Sequence, residues 1–235
     1  IMKLAIMQPY FMPYIGYFQL INSVDKFIFY DDVTFIKQGW INRNQILINN
    51  KASLFSIPLS NASSHALISD VLITAKTYEK WKKTFLNSIL FSYKKAKNYE
   101  PISNLIRSIL ESQPKTISEL AIRSVIEVSQ YLGIKTEFQI SSETYQNTHL
   151  SGQNRVLDIC ENENVQTYIN PIGGVELYSK KVFLEHGMDL FFIQSNKSIY
   201  KQFSGEFVPF LSIIDVMMFN DIEEIQEQLM NFDLV

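Results

Sequence analysis

The sequence predicts an α/β fold built on a parallel sheet, and three observations carry that expectation. The chain opens with an apolar run, Leu4-Ala5-Ile6-Met7, then a glycine-containing loop, a short helical stretch and a second apolar run, Lys26-Phe27-Ile28-Phe29-Tyr30. Strand, loop, helix, strand is the opening βαβ unit of a parallel sheet. The same alternation resumes from Thr136 onward. Between the two parts, Lys76 to Gly133 changes to helical spacing, which reads as a helical subdomain inserted into the α/β unit. The expected organisation is therefore 1–75, first part of the α/β core with a β-hairpin; 76–133, helical insertion; and 134–235, second part of the core with C-terminal helices.

The elements follow in order. Gln8-Pro9 ends the first strand, Pro9 to Tyr14 forms a loop dense in aromatics and prolines, and Tyr17 to Ile21 reads as a helix. Gln45 to Ile48 and Leu54 to Pro58 read as strands around Asn49-Asn50-Lys51, a hairpin turn sequence. Leu67 to Ile73 is expected to be one more short strand. Trp81, Phe85, Ile89 and Leu90 fall on one helical face; Ile102, Leu105, Ile106, Ile109 and Leu110 mark a second helix after Pro101. Thr116 or Ser118 caps a third helix that stops at Gly133. Thr136 to Ile140 is a strand, Gln153 to Glu163 a helix with Val156, Leu157 and Cys160 inward, and Thr167 to Ile169 a strand. Ser179 to His186 is a helix, Leu190 to Ile193 a strand, and Phe210 to Phe219 helical. Asp221 caps a last helix over Ile222 to Phe232.

Composition bounds the function. The 235 residues are 46% hydrophobic, enough for a sizeable core, and the net charge of −3 argues against a broad duplex nucleic-acid footprint. A local basic groove is still compatible with that charge. The one cysteine, Cys160, excludes a disulfide framework and a cysteine-based zinc site, and suits a reducing cytoplasm. No apolar run reaches the roughly 18 residues of a membrane span, no signal peptide precedes the first strand, and Met2 reads as the natural start with Ile1 an addition.

Ligands of parallel α/β sheets bind outside the carboxyl ends of the strands. The loop after Met7 and the doublet Asp31-Asp32 both fall at that edge. In the first loop, Gln8, Tyr14, Gly16 and Tyr17 combine polar groups with a helix start, whose free N–H groups suit a phosphate. The plainer alternative is that Gly16 only lets helix and strand pack closely while the tyrosines are core. Asp31 or Asp32 could accept a proton from an amine or hold Mg²⁺ through water; the alternative is a solvated strand end.

Lys37-Gln38-Gly39-Trp40-Ile41-Asn42-Arg43 is dense in long donors. Lys37 and Arg43 can neutralise phosphate, Trp40 can stack on a ring, and Asn42 adds a hydrogen-bonding amide. Read plainly, this is a surface loop with one anchored Trp. Asn170-Pro171-Ile172-Gly173-Gly174 follows a strand, and its two glycines let backbone N–H groups face a ligand, although it has neither dinucleotide nor Walker spacing. Arg155 offers either an anion contact or a surface charge paired with Asp158 three residues on. Lys201 is a weaker phosphate candidate, and Asp215 in an apolar helix needs a partner if buried. His65, His149 and His186 show no metal or triad spacing, and no metal ligands are assigned.

Several segments together resemble a family: MKLAIMQPYFMPYIGYFQLINSVDKFIFYDDV, KQGWINRNQIL, YINPIGGVELYS, YKQF and EFVPFLSIIDVMMFN. They resemble the WbqC-like family over nearly the whole chain. The resemblance implies a place in bacterial surface-polysaccharide, lipopolysaccharide and O-antigen biosynthesis, in loading an amino acid, often given as glycine, onto an amino sugar. It supplies no catalytic residues to carry over. The opening is also similar to nucleotidylyltransferases, pantothenate synthetase and class I aminoacyl-tRNA synthetases, which implies a Rossmann-like, nucleotidylyltransferase-like core. Where those carry His-x-Gly-His this chain has Tyr14-Ile15-Gly16-Tyr17, and a neutral tyrosine cannot supply imidazolium charge.

The resemblance implies an amino-sugar N-(amino)acyltransferase or ATP-dependent amide-forming enzyme. Asp31, Asp32 and Lys37 are its expected catalytic groups. Gln8, Tyr14, Gly16, Tyr17, Trp40, Asn42, Arg43, Asn170, Gly173, Gly174 and Lys201 are its expected binding groups. The acyl donor would be an adenylate made with ATP and Mg²⁺ or an aminoacyl-tRNA, and the partners a sugar nucleotide and an amino acid; an oligomer is compatible with the apolar run from Phe207 to Phe219. The competing expectations are a non-catalytic nucleotide-sugar binding protein of the same pathway and a nucleotidylyltransferase proper.

Overall fold

A computed structural model describes residues 1–235. The opening unit is β1 (Lys3–Met7), α1 (Ile15–Asn22) and β2 (Lys26–Phe29), with β1 and β2 parallel from Leu4↔Lys26 to Met7↔Phe29. Successive strand side chains point to opposite faces, and both faces are covered. Leu4, Ile6 and Ile28 belong to one buried cluster, whereas Ala5, Phe27 and Phe29 belong to the other. A strand buried on both faces reads as a continuous apolar run, which is why these strands are legible in the sequence.

Next comes the hairpin of β3 (Arg43–Ile48) and β4 (Lys51–Ser56). Asn49 and Asn50 both have positive φ, 50° and 59°, as the tight turn requires, and asparagine tolerates that region. The strand expected at Leu67–Ile73 does not form. A 3-10 turn at Ile68–Asp70 occupies its centre, flanked by isolated bridges from Thr34 to Leu67 and from Leu72 to Ser60 and Thr116. Its backbone is instead laced to several partners: Ile68 N–H donates to the Val33 carbonyl, Ser69 N–H to that of Asp31, and Ile117 N–H to that of Val71.

Three helices follow: α2 (Ala75–Tyr93), α3 (Tyr99–Leu110) and α4 (Ile117–Tyr131). Thr116 caps α4 in a capping box with Glu119, and Gly133 lies just beyond it with φ +74°. The buried faces of these helices join the cluster that contains Phe27 and Phe29, so helices and sheet share one core.

The chain then returns to the sheet with β5 (Glu137–Gln139), α5 (Gly152–Asn162), β6 (Thr167–Pro171), α6 (Lys180–Glu185) and β7 (Asp189–Ser195). It closes with α7 (Ile213–Phe219), α8 (Ile222–Leu229) and β8 (Phe232–Leu234). The expected helix over 210–219 thus begins three residues later, capped by Ser212, whose hydroxyl accepts from the Ile214 N–H. The last helix stops at Leu229 rather than at Phe232, because the final residues pair as an edge strand antiparallel to β7.

The sheet order is β5-β2-β1-β6-β7-β8, parallel throughout except for β8. This mostly parallel sheet, packed with helices, is the expected Rossmann-like core. No helix is long and apolar enough to cross a membrane.

Candidate functional site

From β1 the chain moves outward to β2 and later β5 on one side; β6 and β7 lie on the other. The order reverses between β1 and β6, and a crevice at such a reversal is where open α/β sheets bind ligands. Two loops flank it. Gln8 to Tyr14 follows β1, and a 3-10 turn at Ile172–Gly174 follows β6.

Beside the crevice lies a buried polar network. Arg155, in the first turn of α5, places Nη2 2.6 Å from Asp32 Oδ2, and its guanidinium carbon sits 4.9 Å from the centre of the Tyr30 ring. Its Nε donates to Asn147 Oδ1 at 2.8 Å, and Asn147 in turn donates to Asp158 at 2.7 Å. Arg155 therefore bonds across the fold to Asp32, and the i, i+3 pairing with Asp158 expected from spacing is replaced by an Asn147 bridge. Asp32 also accepts from Ser142 Oγ. Asp31 accepts from Ser141 Oγ at 2.7 Å and from the Ser142 N–H at 3.1 Å, while its other oxygen has a long contact with Ser118 Oγ, 3.4 Å. Burial raises the Asp31 carboxyl above its ordinary range, offset in part by the Ser141 and Ser142 bonds. Tyr30 is raised by burial and partly restrained by Arg155.

The acidic doublet is thus tied into the scaffold. Taking an amine proton or organising a metal would require it to give up hydrogen bonds it already makes. No group of three or more His, Cys, Asp or Glu side chains converges to hold a metal ion.

Tyr17 is buried; its hydroxyl donates to the Gln8 carbonyl at 2.7 Å and its ring lies 5.4 Å from that of Tyr10. It fixes the turn after β1. Tyr10 itself is pushed up to about 12 by burial, with a smaller contribution from Tyr14. The Tyr14 ring lies over Gly16, where an added Cβ would come within 2.2 Å of Cε2. Gly16 is therefore required by the position of Tyr14. The Lys37–Arg43 segment runs alongside this loop, joined by the Phe11 N–H to the Ile41 carbonyl at 3.0 Å. Within it, Arg43 donates to the carbonyls of Gly39, at 2.9 Å, and Gln38, with its guanidinium carbon 5.8 Å from the Trp40 ring centre. Its charge closes its own loop. Asn42 anchors the hairpin through the Ile57 carbonyl at 3.0 Å. Trp40 and Lys37 remain exposed.

Across the crevice, Asn170 is buried and accepts from the Tyr168 hydroxyl at 3.1 Å. A Cβ on Gly174 would meet Asn170 Nδ2 at 1.9 Å, whereas Gly173 faces open space. Lys201 is exposed in the segment that follows β7. The fold brings the loops at 8–14 and 37–43 together, with the 170–174 loop across the crevice. The groups sequence reasoning left out are Tyr30, Ser141, Ser142 and Asn147. Tyr30 was legible as the residue before Asp31-Asp32; the other three carry no local signal.

The fold defines an α/β protein with a Rossmann-like, mostly parallel sheet whose strand order reverses between β1 and β6. The WbqC-like protein family model matches residues 8–227, and the chain belongs to that family. It is also 29% identical over 218 residues to the uncharacterized protein Rv1507c of Mycobacterium tuberculosis, covering 92% of each chain. No solved structure matches it.

Proposed function

We propose that the protein is an enzyme of bacterial surface-glycan biosynthesis that joins an amino acid, such as glycine, to the amine of a sugar nucleotide. What supports this reading is membership of the WbqC-like family together with a strand order that reverses between β1 and β6, the place where open α/β sheets bind ligands. The carboxyl ends of β1 and β6 and the loops after them carry neutral polar side chains, among them Gln8, Tyr14 and Asn170, of the kind that orient a small polar substrate. In the reaction, the amine nitrogen attacks the acyl carbonyl carbon, a C–N bond forms, and the adenylate phosphate or tRNA oxygen leaves. The amine proton passes to a base or to water. Asn170 and the Gly173-Gly174 backbone would orient the substrate, Trp40 and Tyr14 would pack against its rings, and Lys37 would meet the anionic acyl donor.

The test is incubation with a UDP- or dTDP-amino sugar, glycine and ATP, with and without charged tRNA, read by mass spectrometry. A gain of one aminoacyl group on the sugar is expected. No gain with any donor overturns the proposal.

One observation favours a second reading. Asp31 and Asp32 are both occupied by hydrogen bonds, as suits a non-catalytic binding protein of the same pathway. Tight sugar-nucleotide binding without turnover would select it.

A further inference from the structure

A cavity lies beside the start of α1, beyond the end of β7. It measures about 350 Å³ and is walled by the rings of Tyr14, Tyr200, Phe207 and Phe210, with Lys197 the one charged residue in its lining. Helical elements also line it: Tyr14 and Ile15 at the start of α1, Val216 of α7 and Gln228 of α8. Its outer wall is the irregular segment 196–212, which is anchored at several points. The Tyr200 hydroxyl donates to Asp215 Oδ2 at 2.6 Å, and its ring meets that of Phe207 edge-on at 5.0 Å. Gln202 donates to Asp215 at 2.9 Å and exchanges bonds with the Val208 carbonyl and N–H, at 3.0 and 2.9 Å. Phe210 stands at the cavity mouth, 83% exposed and with φ +59°. Backbone strain and an aromatic left in water both cost free energy, and such sites cluster at ligand clamps. Gln228 Oε1 is buried without a hydrogen-bond partner.

These features select a ligand class. Several aromatic walls suit a flat ring, and a lining whose only charge is an ammonium suits an anion. The absence of a side-chain cap and of acidic residues in the first turn of α1 points the same way.

We propose that this cavity holds the nucleoside diphosphate half of a sugar nucleotide. The base packs among Tyr14, Phe207 and Phe210, and the diphosphate meets Lys197. This rests on the reading of the protein as a sugar-nucleotide enzyme and gives that enzyme its nucleotide subsite. The sugar extends past Tyr14, which lies between this cavity and the β1 loop.

Calorimetric titration of the full chain with UDP and with dTDP tests the proposal without requiring turnover. One site per chain is expected for at least one of them. Lys197→Glu should weaken the diphosphate about tenfold or more, the factor that one lost charge-assisted hydrogen bond implies, while changing uridine or thymidine binding little. Phe210→Ala should weaken nucleoside and nucleotide alike, and Lys80→Glu, a charge reversal elsewhere on the surface, should leave both unchanged. Lys197 and Phe210 are exposed, so these variants should retain the wild-type circular dichroism spectrum. Absence of binding by the wild type, or binding that neither Lys197→Glu nor Phe210→Ala alters, overturns the assignment. If binding follows the expected pattern but no acyl transfer occurs, the reaction is refuted and the subsite stands.

Discussion

Arg155 and Asp32 form an ion pair 2.6 Å apart across 123 residues of chain, with side chains only 4% and 5% exposed. The pair joins the end of β2 to the start of α5, beside the crevice. Removing one partner leaves the other as an uncompensated buried charge. Arg155→Met should therefore destabilise by about 3–5 kcal/mol in urea unfolding. Arg155→Lys should recover only part of that loss, because an ammonium lacks the planar fork that serves Asp32 and Asn147 together over the Tyr30 ring.

Asp215 is fully buried and accepts from the Tyr93 hydroxyl at 2.8 Å, the Tyr200 hydroxyl and Gln202. Tyr93 also accepts from the Leu47 N–H at 2.8 Å. Tyr93→Phe removes both bonds and strands the Leu47 donor, for an expected loss of about 1–3 kcal/mol. Asp215→Asn should lose at least as much, since an amide nitrogen would then face a donor. Chemical unfolding of the two variants checks the order.

The carboxyl of Asp31 is raised chiefly by burial. A raised folded-state value means that the folded chain holds the proton more readily than the unfolded chain. Its stabilising contribution is then complete below the ordinary value of 3.8 and is lost as pH rises through the folded value. Asp31→Asn removes that dependence. The wild type should lose stability relative to Asp31→Asn as pH rises from about 4, measured as the difference between two urea series. A constant difference would show that Asp31 titrates alike in both states.

A methyl group at position 16 would collide with the Tyr14 ring, 2.2 Å from Cε2. Because the obstacle is a movable side chain, Gly16→Ala should cost little stability but displace Tyr14 and weaken ligand binding. Adding Tyr14→Ala should relieve the collision without restoring binding. Thermal unfolding and calorimetry of the single and double variants separate the two effects.

Local features were legible in the sequence. The βαβ opening, the Asn49-Asn50 turn and the Thr116 cap each depend on residues within one turn or strand of each other. What escaped depends on distant partners. The residues from Leu67 to Ile73 have strand composition, but their backbone bonds go to Asp31, Val33 and Ile117. The last helix gives way to a strand because β7 offers a free edge. At the site, the crevice loops were recognisable by position and composition. The partners of Asp31-Asp32 were not, because Ser141, Ser142 and Arg155 meet the doublet only through the crossover from β5 to α5.

The sheet order has a further consequence during synthesis. The second neighbour of β1 begins only at Thr167, and the partners that cover Leu4, Ile6 and Ile28 include Val156, Ile159 and Phe183. While the ribosome is still making the helical middle of the chain, the first two strands have one uncovered apolar face and an open edge, the features that promote misassociation. The first two strands must therefore wait for residues made after Gly152, and release truncated before α6 leaves a product prone to aggregate rather than a smaller folded protein.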